Sequence, residues 1–256
     1  MDDGRIDAYL ARIGAERPER ADLGALRELQ RAHLLAVPFE NLSIHLDEPI
    51  VLTEEALVAK LVDRRRGGFC YELNGAFAAL LGGLGFRVTR HSARVWIGGE
   101  RFSVPFDHMA LLVALDEPYL VDVGFGRFSQ QPLRLHARGP QLFADGEYEV
   151  VERALPDLDV RGPAGWEYRL DPRPYDLADF TMGAWWHQTS PDSHFTRSLT
   201  CSLVTPDGRV TLSGTRLVTT RAGERTEKEL TDSQTLQVYR ERFGVTLDRL
   251  PQVRPR

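Results

Sequence analysis

The sequence predicts an α+β protein built in three successive parts: a helical bundle, a small antiparallel β-barrel or curled sheet, and a hairpin closed by a helix. Three observations predict it. Apolar residues recur at helical spacing up to Phe86. Beyond Phe86 they alternate or form short runs between turn residues. Near the end, two apolar runs flank Pro206-Asp207-Gly208-Arg209, a strong hairpin turn.

Ile6, Tyr9, Leu10 and Ile13 form the first helical stripe, and Leu23, Leu26, Leu29 with His33 or Leu34 form the second. Thr53 ahead of Glu54 and Glu55 reads as an N-cap, opening a helix that turns Leu57, Leu61 and Val62 inward. Another helix begins near Cys70, with Leu73, Phe77, Leu80, Leu81 and Leu84 as its apolar stripe and Gly82, Gly83 and Gly85 at its end. Residues 88–97 alternate as a strand does. Short runs at 109–115, 119–123, 147–151 and 166–170 follow, each bounded by turn residues, as in a small barrel. Residues 172–191 read as a loop- and helix-like link. Residues 199–204 and 210–218 form the hairpin, and 227–243 a closing helix whose first part reads equally well as strand.

A chain of 256 residues with 42% apolar and 27% charged residues buries a sizeable core without disulfide staples. The net charge of −5 argues against a nucleic-acid partner, which needs clustered cations. The one dense cationic run, Arg64-Arg65-Arg66, is too short for such a surface and reads as a buried ion pair or a solvated face. No apolar stretch approaches the roughly 20 residues of a membrane helix, and the acidic start Met1-Asp2-Asp3 is no signal peptide. With two cysteines, Cys70 and Cys201, there is no disulfide framework. These features predict a cytoplasmic protein with reduced thiols.

The segment Arg66-Gly67-Gly68-Phe69-Cys70-Tyr71-Glu72-Leu73-Asn74 carries the clearest chemistry. Two glycines permit a tight turn, and the cysteine follows at a helix start. The positive end of a helix favours thiolate over thiol, and its N–H groups suit a developing oxyanion. The plainer reading is a buried structural cysteine. A nucleophilic cysteine needs a nearby histidine, and His108 opens the apolar strand His108-Met109-Ala110-Leu111. Asp122, inside Val121-Asp122-Val123-Gly124, must have a partner if it is buried: the imidazole, an arginine or backbone N–H groups. A turn at Asp116-Glu117-Pro118 sets Asp122 opposite Leu112 and leaves His108 four residues off, roughly 13 Å along an ideal strand. Contact therefore requires a bulge, a bend or a different register. Phe125 either walls an aromatic site or fills core. Glu40, in Pro38-Phe39-Glu40-Asn41-Leu42, reads as paired with an arginine such as Arg65. His187 and His194 lack the cysteine pair of a zinc site, so no metal is expected.

In order along the chain, Val37-Pro38-Phe39-Glu40-Asn41-Leu42, Arg65-Arg66-Gly67-Gly68-Phe69-Cys70, His108 before its strand, Val121-Asp122-Val123-Gly124-Phe125-Gly126 and Ser190-Pro191-Asp192-Ser193-His194-Phe195 resemble the arylamine N-acetyltransferases. The resemblance implies a helical bundle domain with the nucleophile (1–86), a β-barrel domain with the histidine and aspartate (87–192) and an α/β lid (193–256). These surround a cysteine-protease-like Cys-His-Asp core made by Cys70, His108 and Asp122. It implies that Phe39, Phe125 and Gly126 border the acceptor, and that Phe106, Asp107 and Gly126 lie near coenzyme A, although the family has a small or hydroxyl residue where Asp107 stands. The expected activity is ping-pong transfer of an acetyl group from acetyl-CoA to an arylamine or hydrazine. Its rivals are an amide synthase that releases a carrier-bound polyketide as a macrolactam, and a papain-like thiol hydrolase.

Overall fold

The computed structural model describes residues 1–153 and 156–253. Helices α1 (Asp3–Ile13), α2 (Leu23–Ala36), α3 (Leu42–His45), α4 (Glu54–Val62) and α5 (Cys70–Gly83) fill the first third, with strand β1 (Phe39–Glu40) between α2 and α3. Side chains of Asp2, Asp22 and Thr53 accept from the backbone N–H of Arg5, Ala25 and Ala56, satisfying donors that the first turns leave free. Helix α5 is buried on every side from Cys70 to Leu81, far beyond the stripe its leucines suggest. Small residues such as Ala76, Ala78 and Ala79 let neighbours pack all round it.

Among the described residues nine antiparallel strands follow: β2 (Arg87–Gly98), β3 (Arg101–Phe102), β4 (His108–Ala114), β5 (Pro118–Val121), β6 (Leu133–Arg134), β7 (Gln141–Phe143), β8 (Gly146–Glu152), β9 (Leu158–Gly162) and β10 (Gly165–Tyr175). Their order is β6-β5-β4-β2-β10-β9-β8-β7, with β3 on β2. Strand β6 comes back against β8, so the barrel is nearly closed. Both faces of β4 are covered: Met109, Leu111 and Val113 join the helical core, while Ala110 and Leu112 face the barrel interior. That double burial is why its sequence is an unbroken apolar run. Strand β9 escaped the sequence because Asp159 interrupts it. The carboxylate is buried between Arg153 and Arg169, the latter at 2.6 Å.

A 3-10 helix (Leu177–Phe180), α6 (Thr181–Thr189) and α7 (His194–Arg197) lead into β11 (Cys201–Thr205), β12 (Gly208–Ser213), β13 (Arg216–Arg221), β14 (Glu224–Glu229) and α8 (Asp232–Phe243). The run read as one strand over 210–218 is two. Ser213 pairs with Arg216 across the two-residue turn Gly214-Thr215. The closing helix starts at Asp232, where Thr231 and Gln234 cap it reciprocally, and residues 224–229 are edge strand. This sheet has the order β1-β11-β12-β13-β14, so β1 crosses from the first third into the last part. Asn41 fastens the crossing: its amide donates to the Phe195 and Ser198 carbonyls at 2.9 and 2.6 Å and accepts from Thr200 N–H at 2.9 Å. Tyr239 and Phe243 of α8 cover Cys201, Val210 and Leu212. Among the described residues no helix is long and apolar enough to cross a membrane.

Glu40 pairs with Arg66, not Arg65: Arg65 is exposed, while the Arg66 guanidinium meets Glu40 Oε1 at 3.0 Å and Glu48 Oε2 at 3.0 Å. Burial opposes the Glu40 charge, but Arg66, Lys60 and the Leu42 N–H outweigh it and hold the carboxyl below its usual range. Arg66→Met should therefore strand a buried carboxylate and cost about 3–5 kcal/mol. In urea denaturation the double variant with Glu40→Gln should recover part of that loss. An unchanged midpoint for Arg66→Met would show that the pair does not stabilise the fold.

Candidate active site

Cys70 is the first residue of α5. Residues 66–69 reach it as an extended segment lying parallel to Pro38-Phe39-Glu40, with Glu40 N–H donating to the Gly68 carbonyl at 2.9 Å. A side chain at Gly67 would collide with the Pro38 carbonyl, 1.9 Å from its Cβ, so the approach requires glycine. Glu72 secures the helix entrance: Oε2 accepts from Phe69 N–H at 3.2 Å while Oε1 meets the buried Lys60 Nζ at 2.6 Å.

His108, the first residue of β4, lies opposite Ala93 of β2. Asp122 is the first residue past β5. The β4–β5 register pairs Ala114 with Pro118 and Leu111 with Val121, so Asp122 falls level with Ala110 rather than Leu112. Pro118 opens the strand, a position where its missing N–H is tolerated, instead of closing the turn. That two-residue displacement brings His108 and Asp122 within side-chain reach, and His108 Nε2 donates to Asp122 Oδ2 at 2.7 Å.

The other carboxylate oxygen accepts from Asn74 Nδ2 and Gly124 N–H, both at 2.9 Å. Asn74 also donates to the Met109 carbonyl at 2.7 Å and accepts from Val123 N–H at 3.0 Å. It thereby ties α5 to both strands that carry the His-Asp pair. Sequence reading passed over Asn74. The available signal was a polar residue one helical turn beyond Cys70 inside an apolar helix, which demands buried partners. A Cβ on Gly124 would stand 2.7 Å from both Cys70 Cα and Asn74 Nδ2, so glycine lets the 122–126 turn rest directly on the nucleophile's helix.

Burial is the largest influence on His108 and works against its charge. Asp122 and the adjacent Cys70 together outweigh it and raise the imidazole to about 10. Since Nε2 faces Asp122, Nδ1 is the nitrogen left for Cys70. The imidazolium is thus held across neutral pH between a carboxylate and the Cys70 sulfur.

Phe125 sets its ring edge-on to His108 at 5.0 Å, and both it and Phe39 are half-buried beside the site. Gly126 lies against the Phe39 ring. Phe106 turns its ring away, against Tyr175 at 4.8 Å and Phe180 at 5.3 Å, while its carbonyl accepts from Tyr71 Oη at 2.6 Å. Asp107 pairs with His187 Nε2 at 3.1 Å. Burial opposes its charge, and hydrogen bonds from His187 and Ser103 hold its carboxyl below the usual range. His194 meets Ser198 instead, at 3.0 Å. Among the described residues no group of three or more His, Cys, Asp or Glu is placed to hold a metal ion.

A thiol at a helix tip, an imidazole and a carboxylate in one buried cluster have the geometry with which Cys-His-Asp thiol enzymes pass an acyl group through a cysteine thioester. Comparison with known proteins makes this specific. An N-acetyltransferase family model matches residues 22–252. The arylamine N-acetyltransferase of Mycolicibacterium smegmatis is 40% identical over 94% of this chain and 92% of its own. A Salmonella typhimurium arylamine N-acetyltransferase / N-hydroxyarylamine O-acetyltransferase is 35% identical over 94% and 88%. The Mycobacterium marinum arylamine N-acetyltransferase structure in complex with CoA superposes with a TM-score of 0.85 at 35% identity, covering 94% of this chain and 92% of that one. The chain belongs to the arylamine N-acetyltransferase family.

Proposed function

We propose that this protein moves an acetyl group from acetyl-CoA to an arylamine or hydrazine through an acetyl-cysteine at residue 70. The observation that carries the reading is the 2.7 Å contact between His108 and Asp122 beside a cysteine at a helix N-terminus. The Cys70 thiolate attacks the acetyl carbonyl, and the helix tip stabilises the oxyanion. The C–S bond to coenzyme A breaks, and its thiolate takes the proton from His108. Having given up its proton, the imidazole is left neutral to act as a base, and acetylation removes the Cys70 charge that helped hold that proton. The amine attacks the thioester, His108 accepts its proton, and the Cys70 thiolate leaves, restoring the starting state. Arylamines suit this step because they are neutral at pH 7 and already nucleophilic.

In this reading Phe39, Phe125 and Gly126 wall the acceptor, and Phe106, Asp107 and Gly126 flank the donor's pantetheine. Residues 1–86, 87–192 and 193–256 act as bundle, barrel and lid. Cys70 and Cys201 are both free thiols, which supports a reducing, cytoplasmic setting.

Intact mass spectrometry after brief exposure to acetyl-CoA without amine tests the reading. A gain of about 42 Da on Cys70, one acetyl group, is the expected result, and added aniline should discharge it. An unmodified cysteine that is instead loaded by a carrier-bound acyl thioester would overturn it in favour of an amide synthase.

A further inference from the structure

His108 opens β4, so the strand ladder fixes its backbone on one side only, and the turn before it fixes the other. That turn holds Phe106 at φ +62°, a left-handed backbone that strains any residue but glycine. Side chains from elsewhere keep it there. Phe106 N–H donates to Ser92 Oγ at 2.8 Å, and Tyr71 Oη reaches the Phe106 and Asp107 carbonyls at 2.6 and 3.1 Å. Helix α6 rests on the same turn: a Cβ on Gly183 would stand 2.5 Å from the Phe106 carbonyl oxygen.

One helical turn beyond Gly183, His187 completes the arrangement. Its Nε2 meets Asp107 Oδ1 at 3.1 Å and lies 3.3 Å from the Asp107 carbonyl oxygen, and its Nδ1 meets the Ser193 hydroxyl at 3.2 Å. A neutral ring with its proton on Nε2 satisfies these contacts, with Ser193 donating to Nδ1. The buried imidazole lies 6.4 Å from the Phe69 ring and 6.0 Å from the Tyr71 ring, the two neighbours of Cys70, and 5.1 Å from Phe195. One side chain of the segment between β10 and β11 therefore touches both residues flanking the nucleophile and the residue preceding the base.

We propose that His187, acting through Asp107, is a positioning residue for His108: the pair locks the strained turn and so holds the reacting imidazole against Asp122 and toward Cys70. The role of His108 rests on the proposed function. With Nε2 engaged by Asp107 and Nδ1 by Ser193, the His187 ring supports the first imidazole–carboxylate pair instead of serving as a second acid–base centre. The titratable groups facing the two pairs are Cys70 and Tyr71 from α5, Asp122 beyond β5 and Tyr168 from β10. All four stay unchanged in the variants that test the assignment.

Those variants are His187→Leu, His187→Gln, Asp107→Ala and the double His187→Leu/Asp107→Ala. Two rates are read in each: quench-flow acetylation of Cys70 by acetyl-CoA across pH, and alkylation of Cys70 by iodoacetamide at pH 7, followed by peptide mapping. His187→Leu should slow both about 3- to 10-fold. It should also move the alkaline limb of acetylation down by about 0.5 to 1 pH unit, because a looser turn weakens the hold of Asp122 on the His108 proton. His187→Gln, whose amide N–H reaches where Nε2 stands, should restore most of the rate. Asp107→Ala should match His187→Leu, and the double variant should be no slower than either. Asp107→Ala carries the same comparison should His187→Leu fail to fold, and iodoacetamide, which has no pantetheine, separates positioning from donor contact. A lowered Tm with the alkylation rate and alkaline limb unchanged would overturn the assignment, as would losses that multiply in the double variant. A wild type that resists acetyl-CoA while its alkylation responds to the variants would count against the proposed function and uphold the positioning role.

Discussion

Cys70→Ala is expected to lower arylamine acetylation by at least about 10⁴-fold and to abolish the acetyl adduct, while leaving the fold intact. The side chain is small and sits at the helix tip, so its loss opens little space, and the Glu72–Lys60 and Asn74 anchors are independent of it. Cys70→Ser should be nearly as inactive, because a hydroxyl in that position does not ionise at neutral pH. Progress curves with aniline, paired with intact mass and circular dichroism, separate loss of the nucleophile from loss of structure. Turnover by Cys70→Ala near the wild-type rate would remove the covalent mechanism altogether.

Asp122→Asn is expected to lower kcat by about 10³-fold or more and to change the pH profile in a defined direction. Burial pushes the proton off His108, and the Asp122 carboxylate is the strongest influence holding it on. Because the imidazole is raised to about 10, its proton is in place through neutral pH, and acetylation of Cys70 should decline as pH rises through that value. The linked stability has the same sign: it is full below the ordinary histidine value of about 6.5 and fades as pH climbs through the folded-state value. In Asp122→Asn the alkaline limb should move down by about 1–3 pH units. The variant also leaves an NH₂ group where three donors, from His108, Asn74 and Gly124, now converge on two carboxylate oxygens. One of them must lose its acceptor, and a lowered Tm should accompany the kinetic change. An alkaline limb that stays in place would show that Asp122 does not hold the His108 proton.

The site was legible in the sequence to the extent that its chemistry is local. Arg66-Gly67-Gly68-Phe69-Cys70 shows a tight turn into a helix, and only glycine fits beside Pro38. Thr53, Gly85 and the Pro206-Asp207 turn marked their elements for the same reason: each acts through backbone atoms a few residues away. Asp122 announced itself as a carboxylate needing a partner, but the choice among histidine, arginine and backbone lay outside any short window. It resolved to His108, Asn74 and the Gly124 N–H together.

Where reading along the chain failed, charge or strand register decided the outcome. Asp159 hid β9 because its two arginines come from other points of the chain. Glu40 took Arg66 rather than Arg65 because the parallel approach of 66–68 to 38–40 buries one guanidinium and leaves its neighbour in water. The β4–β5 register, displaced by two residues from simple turn counting, decided whether imidazole and carboxylate could meet at all.

By itself, then, the sequence determined which residues have the chemistry of acyl transfer and which helix end bears the thiol, since these follow from residue type and nearest-neighbour sterics. Only the tertiary structure decided that imidazole and carboxylate meet beside the thiol and that Arg66, not Arg65, reaches Glu40. Those distances are set by how strands slide and helices pack, which depends on burying side chains far apart in the chain.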